Sequence, residues 1–568
     1  MTQHARTLGE LRASGWRGGT VKDELRRNLT QRLRDGLQLF PGIVGFELTV
    51  IPQIQNAILA RHDFILLGLR GQAKTRVLRA LKDLLDERIP AVLGCQIHDD
   101  PLAPVCRACR RRLAESGDAL EIEWLGRDER YREKLATPDV TMADLIGDID
   151  PIKAATEKRF YSDEEIIHFG IVPRTNRGIF AINELPDLSP RIQVGLLNIL
   201  EERDLQIRGF PVRIPLDILL VFSANPEDYT NRGNIITPLK DRLDSQILTH
   251  YPASIEAGMQ ITAQEAWVER GGTRLRLPAL MREVVEEVAV QARKSEFVDQ
   301  ASGVSARMAI SALEALASNM ERRALVTGDN EAWPRMCDLD AMVPALSGKI
   351  ELVYEGEQEG VLAVARKIVR QAVAAVFARK YPDAVKSPAI PGGAGGRKSQ
   401  SKQVKTPETA SPYQPVLDWF GGGNTVELAD GLPQREYVAR LERVPRLRDL
   451  AAAHAAACAA GPSGIGPAQP SGAPSGPSGP GAAHPTGAPT APGATGAARP
   501  RGGPAGPSGA GPAAAHAIEP AEVALHMEFL LEGLHQNSLL AKVDLDSGTS
   551  YRDMLKEMFE QMVQTTED

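Results

Sequence analysis

The stretch DFILLGLRGQAKTRVLRAL, residues 63–81, constrains this chain more than any other. Its apolar run reads as a buried parallel strand, the part with Gly68 and Gly71 as a tight loop, and the part from Lys74 on as the first turn of a helix. Small loop residues let backbone N–H groups close around an anion at a helix N-terminus. Gly68, Lys74 and Thr75 fit the pattern G-x-x-x-x-G-K-S/T, with Ala73 where the second glycine belongs. On this reading Lys74 reaches the β- and γ-phosphates of ATP and the Thr75 hydroxyl holds Mg²⁺. Alanine at 73 is expected to cost little if φ there stays negative. The plain alternative is a strand-turn-helix with a chance lysine.

Further along, RGIFAINEL gives a second apolar strand ending in Asn183 and Glu184. A nucleotide-hydrolysing site needs a metal-side acid and a carboxylate that polarises the attacking water. Asn183 keeps an oxygen but not the charge, so weaker metal affinity is expected, while Glu184 can do the proton work. LDILLVFSAN is a third strand, ending at Asn225, whose amide can bond the water or the γ-phosphate. Arg242 in TPLKDRLDSQI can reach the γ-phosphate of a neighbouring copy, with Arg232 a weaker candidate. Arg307, in SGVSARMAISALEAL, sits at a helix start and can touch the same nucleotide from a lid.

The remaining sequence sets the organisation. Residues 1–39 are charged, with Leu25, Leu29 and Leu33 at helical spacing. An α/β nucleotide-binding section is expected over 40–255, an all-α lid and helical extension over 256–385, and a linker over 386–411. A small helical segment over 412–457 is followed by a Pro/Gly/Ala-rich stretch over 458–517 that cannot bury a core. Residues 518–568 are expected to be helical again, with Met554, Leu555, Met558, Phe559 and Met562 on one face. The fold class is therefore α/β, a parallel-sheet phosphate-loop core with an all-α lid and a C-terminal helical region interrupted by disorder. The net charge of −7 argues against broad nucleic-acid binding. With no secretory signal and no membrane-length apolar run, a cytoplasmic protein is expected.

Together these segments resemble the AAA+ ATPases, and among them the magnesium chelatase I-subunit and MoxR branch. The resemblance covers roughly residues 40–320 and rests on FPGIVGFE, GLRGQAKT, the segment from Gly147 to Leu185, FSANPEDY, LKDRLD and SARMAI. It implies that Lys74 and Thr75 form the phosphate loop, Asn183 and Glu184 the second motif, and Asn225 the first sensor. It also makes Arg242 the finger and Arg307 the second sensor, and sets Ile43 and Val44 beside the adenine. LQIRGFPVRIP, with Leu205, Ile207, Val212 and Ile214 flanking a turn near Gly209, looks like a hairpin insertion of that branch. The resemblance further implies ATP and Mg²⁺ as ligands, a hexameric ring and a von Willebrand A-type protein partner. The function expected is ATP hydrolysis that remodels a protein partner. The alternatives are an assembly scaffold whose hydrolysis is weakened by Asn183, and the motor subunit of a metal chelatase.

CQIHDDPLAPVCRAC places Cys95, His98, Cys106 and Cys109 at spacings that suit a closed tetrahedral Zn²⁺ site within an insertion at about 90–112. A redox pair of Cys106 and Cys109, or plain loop residues, are the alternatives. Cys337 reads as a packed thiol, and Cys458, His484 and His516 carry no assigned role.

Overall fold

The computed structural model describes residues 5–156, 164–201, 204–206, 213–225, 234–385, 411–459, 518–545 and 547–557. Five strands form the central sheet: β1 (Phe64–Leu67), β2 (Tyr131–Leu135), β3 (Gly178–Asn183), β4 (Ile218–Ala224) and β5 (Ser245–Leu248). All pair in parallel, in the order β5-β1-β4-β3-β2. Every residue of β3 and β4 is buried, as expected of strands covered on both faces. Successive side chains go to opposite faces. Ile179 and Ala181 enter one core with α1 (Val21–Arg34), α2 (Val50–Leu59) and α3 (Lys74–Ala80). Phe180 and Ile182 enter the other, with α4 (Arg107–Ser116) and α5 (Pro190–Glu201).

Helix α1 is capped by the Thr20 hydroxyl, which accepts from Asp23 N–H, and its buried stripe is Val21, Leu25 and Leu29. Leu33, expected on that stripe, is 42% exposed, because the helix ends one residue later and turns away from the core. Glu24 and Arg130, both buried, make a two-pronged ion pair at 2.8 and 2.6 Å. This pair ties α1 to the start of β2.

Three antiparallel pairs project from this core. Arg88–Val92 pairs with Ile122–Gly126 around α4, between α3 and β2. Gly147–Ile149 pairs with Ile167–Phe169 between β2 and β3. Asp204–Gln206 pairs with Arg213–Pro215 before β4, in the predicted hairpin insertion, whose turn at 207–212 lies outside the described residues.

The lid carries α6 (Ala279–Lys294), α7 (Arg307–Thr327) and α8 (Val361–Lys380), with one two-residue parallel pair, Arg274–Leu275 with Glu331–Ala332. The C-terminal region differs from the helical expectation. Val426–Ala429, Gly548–Arg552 and Ala541–Leu545 form a three-stranded antiparallel sheet beside α9 (Pro520–Gln536). Lid and C-terminal residues share one hydrophobic core, running from Leu280 to Tyr551. Most of the expected linker, nearly all of the Pro/Gly/Ala-rich stretch, and Met558, Phe559 and Met562 lie outside the described residues. Among the described residues no helix is long and apolar enough to cross a membrane.

Candidate active site

The phosphate loop leaves the C-terminal end of β1 and enters α3 at Lys74. Gly71 has φ +74, and a Cβ there would lie 2.0 Å from Ser305 Oγ of the lid, so only glycine fits. Ala73 also lies in the left-handed region, at φ +56. This overturns the expectation of a negative φ: the last loop residue must turn its N–H into the loop before α3 begins, and alanine adopts the strained torsion. Thr249 on the chain leaving β5 braces the loop from below, its hydroxyl donating to Gln72 Oε1 at 2.7 Å.

Lys74 is buried and donates to Gly68 O, to Leu69 O at 3.0 Å and to Asn225 Oδ1. Asn225 Nδ2 in turn donates to Glu184 Oε2 at 2.9 Å. The ends of β1, β3 and β4 thus bring an ammonium, an amide and a carboxylate into one hydrogen-bonded line. Glu184 has φ +57, a torsion that costs of order 1 kcal/mol outside glycine and clusters at functional sites. Asn183 is buried beside the loop, its Oδ1 accepting from Thr75 Oγ1 at 3.3 Å and Ser223 Oγ at 3.1 Å. Thr75 and Asn183 therefore set two oxygens side by side, at the start of α3 and the end of β3, a donor set that fits the preference of Mg²⁺ for oxygen ligands.

Beside the loop lies a cleft lined by Ile43, Val44, Phe46, Ala73, Pro252 and Ile261 among others. Its apolar walls suit a flat heteroaromatic ring. His250 also lines it, and neither His250 nor Ile261 stood out in the sequence. Their membership depends on the chain after β5 folding back against residues 42–46, a contact no local pattern encodes.

The arginines lie apart from the line. Arg242 ends a short helix, Thr237–Arg242, and its Nε donates to Glu201 Oε2 of α5 at 2.7 Å. Its side chain is about one-third exposed. Arg307 is exposed at the start of α7, one residue after Ala306, which lines the cleft. Arg232 lies outside the described residues. The phosphate loop is bound to the lid by Arg70, which donates to Ser302 Oγ at 2.9 Å and pairs with Glu351.

Away from this site, Cys95, Cys106 and Cys109 converge, and the fourth group among them is Asp99. His98, expected as the fourth ligand, is outside the cluster and has φ +55. Cys337 packs against Arg323 at 3.9 Å.

No protein-family profile and no curated protein sequence matches the chain. Among solved structures, similarity is found to a complex of subunits BchI and BchD of magnesium chelatase, with 19% identity over 56% of this chain and 98% of that one, at a TM-score of 0.29. A candidate ATPase from Cytophaga hutchinsonii matches at 16% identity over 64% of this chain and 98% of that one, TM-score 0.26. NtrX from Brucella abortus in complex with ATP matches at 16% identity over 63% and 68%, TM-score 0.29. Superpositions this loose assign no chemistry. The strand order, the loop after β1 and the helical lid belong to the chain itself. The fold is a parallel α/β sheet with a phosphate-type loop after β1 and a helical lid.

Proposed function

We propose that this chain is a cytoplasmic AAA+ ATPase that hydrolyses Mg-ATP at the junctions of a ring of its own copies, most simply a hexamer, and uses turnover to remodel a protein partner. The observation that carries this reading is the line Lys74–Asn225–Glu184 at the mouth of the phosphate loop. Phosphate oxygens would replace the acceptors that Lys74 now uses. Asn225 would hold Glu184 at the attacking water while its own amide reaches the γ-phosphate. Thr75 and Asn183 would hold Mg²⁺, which spreads the charge that develops on the phosphates. Arg242, partly exposed at the end of its short helix, would serve the site of the adjacent copy, and such a finger contributes roughly 10³–10⁵ in rate. The partner expected from the sequence resemblance is a von Willebrand A-type protein. A chelatase motor is the narrower form of the same reading and predicts metal insertion only with a catalytic subunit present.

A second reading is favoured by Asn183. Its oxygen already accepts two hydroxyl bonds and carries no charge, which lowers the pull on Mg²⁺. On that reading the chain assembles on ATP and cuts it slowly. Phosphate release by the purified protein decides between them. Hydrolysis should vanish in Lys74→Ala, Glu184→Gln should retain ATP without turning it over, and Arg242→Ala should lose at least ~10³ in rate. Assembly on ATP without phosphate release, restored by Asn183→Asp, would establish the scaffold instead.

A further inference from the structure

We propose that Cys95, Asp99, Cys106 and Cys109 hold one structural Zn²⁺ ion, with Asp99 in the place that the sequence spacing offers to His98. The three sulfurs and a carboxylate oxygen all lie within 4.8 Å of one another. Four ligands around tetrahedral zinc, with Zn–S of about 2.3 Å, sit about 3.8 Å apart, so small side-chain rotations close the set. Thiolates with one hard oxygen suit zinc, and four protein ligands leave no open position for catalysis.

Asp99 supplies the second, independent observation. It is fully buried, and its Oδ2 accepts from Val105 N–H at 3.2 Å and Cys106 N–H at 2.9 Å. Its Oδ1 is buried with no hydrogen-bond partner among the described residues. An orphan carboxylate oxygen in an apolar core is costly, and a cation removes the cost. Around it, Cys109 N–H donates to Cys106 Sγ at 3.3 Å at the start of α4, which fixes the Cys106 side chain towards the cluster.

The position of the cluster says what the metal would support. Ile97 lies between two ligands, and its carbonyl accepts from Asn176 Nδ2 at 3.1 Å. Asn176 Oδ1 accepts from Asp217 N–H at 2.8 Å. One side chain therefore joins the metal loop to the turn entering β3 and to the chain entering β4. These are the ends of the strands opposite to Asn183, Glu184 and Asn225. From α4, Arg111 pairs with Glu165 in the insertion between β2 and β3. Metal loss should therefore loosen the packing beneath the sheet and the neighbouring insertion, while leaving the phosphate loop intact.

The test is the metal content of the full chain, purified without chelators or metal resin and measured by mass spectrometry, with free thiols counted in denaturant. One zinc per chain and five free thiols are expected, matching the five cysteines of the sequence. Cys109→Ser should lose the zinc. His98→Ala should keep it, and Asp99→Asn should bind it roughly 10-fold more weakly or worse against a competing dye chelator. If Cys109→Ser fails to fold, replacement of the metal by Co²⁺ in the wild-type chain still decides, since tetrahedral thiolate cobalt has intense visible bands. A wild-type chain without zinc and without those bands, a Cys106–Cys109 disulfide in the thiol count, or zinc lost in His98→Ala but kept in Asp99→Asn would each overturn the proposal.

Discussion

At position 73 the backbone sits at φ +56, where the alanine Cβ crowds the next carbonyl at a cost of about 1–2 kcal/mol. Glycine removes that crowding but frees the unfolded chain by somewhat less. Ala73→Gly should therefore stabilise the nucleotide section by about 0.5–1 kcal/mol in a urea titration. A lower midpoint in the variant would mean that residue 73 is not left-handed in solution. Single residues were legible where chemistry is fixed by type: Lys74, Asn225 and Glu184, picked out by type and order, share one line of hydrogen bonds, and Thr75 bonds Asn183 beside it. The torsion at 73 was not, because a one-letter pattern carries no φ. The exchange of His98 for Asp99 was hidden for a related reason. Two-residue spacing pointed to histidine, but His98 takes a left-handed turn and the next residue meets the thiols.

Between elements, the join of β4 to α1 holds a titrating group. Asp217 precedes β4, and its Oδ2 accepts from Val21 N–H, the first of α1, at 2.7 Å. Burial pushes its carboxyl up to about 6, with the Val21 bond pulling the other way. The folded chain therefore keeps the proton after the unfolded chain, with an ordinary value near 3.9, has released it. Asp217 thus contributes stability below about pH 4 and loses it as pH rises towards 6, by an amount of order 3 kcal/mol. In Asp217→Asn that loss should disappear. Urea midpoints at pH 4.5 and 7 should show the wild type falling relative to the variant, and parallel behaviour would remove Asp217 as the cause. The three inner strands were legible because FILL, GIFAIN and ILLVFSA are almost wholly apolar, as strands covered on both faces must be, whereas the edge strands YREKL and SQIL carry no such run. The C-terminal strands were not. VELA, AKVDL and GTSYR are short and mixed, and Val426 finds its partner Tyr551 far along the chain.

Over the whole molecule, the lid and the C-terminal elements behave as one packed body. At Gly533 in α9 a Cβ would lie 1.9 Å from Phe377 Cδ2 of α8, well inside contact distance. Helix propensity alone would make Gly533→Ala stabilising by about 1 kcal/mol. Overpacking a full core costs about 1–3 kcal/mol, so the net change should be a loss. A melting temperature lowered for lid and C-terminal signals together is expected, and a raised one would show that the two helices stand further apart. Arg70, one residue before Gly71, grips Ser302 and Glu351, while Gly71 itself presses on Ser305. On the proposed function, the loop that would cradle a triphosphate is therefore tied directly to the helical lid. A ligand that shifted this loop would then pull on the lid through Arg70, so its affinity and the lid's orientation would be linked.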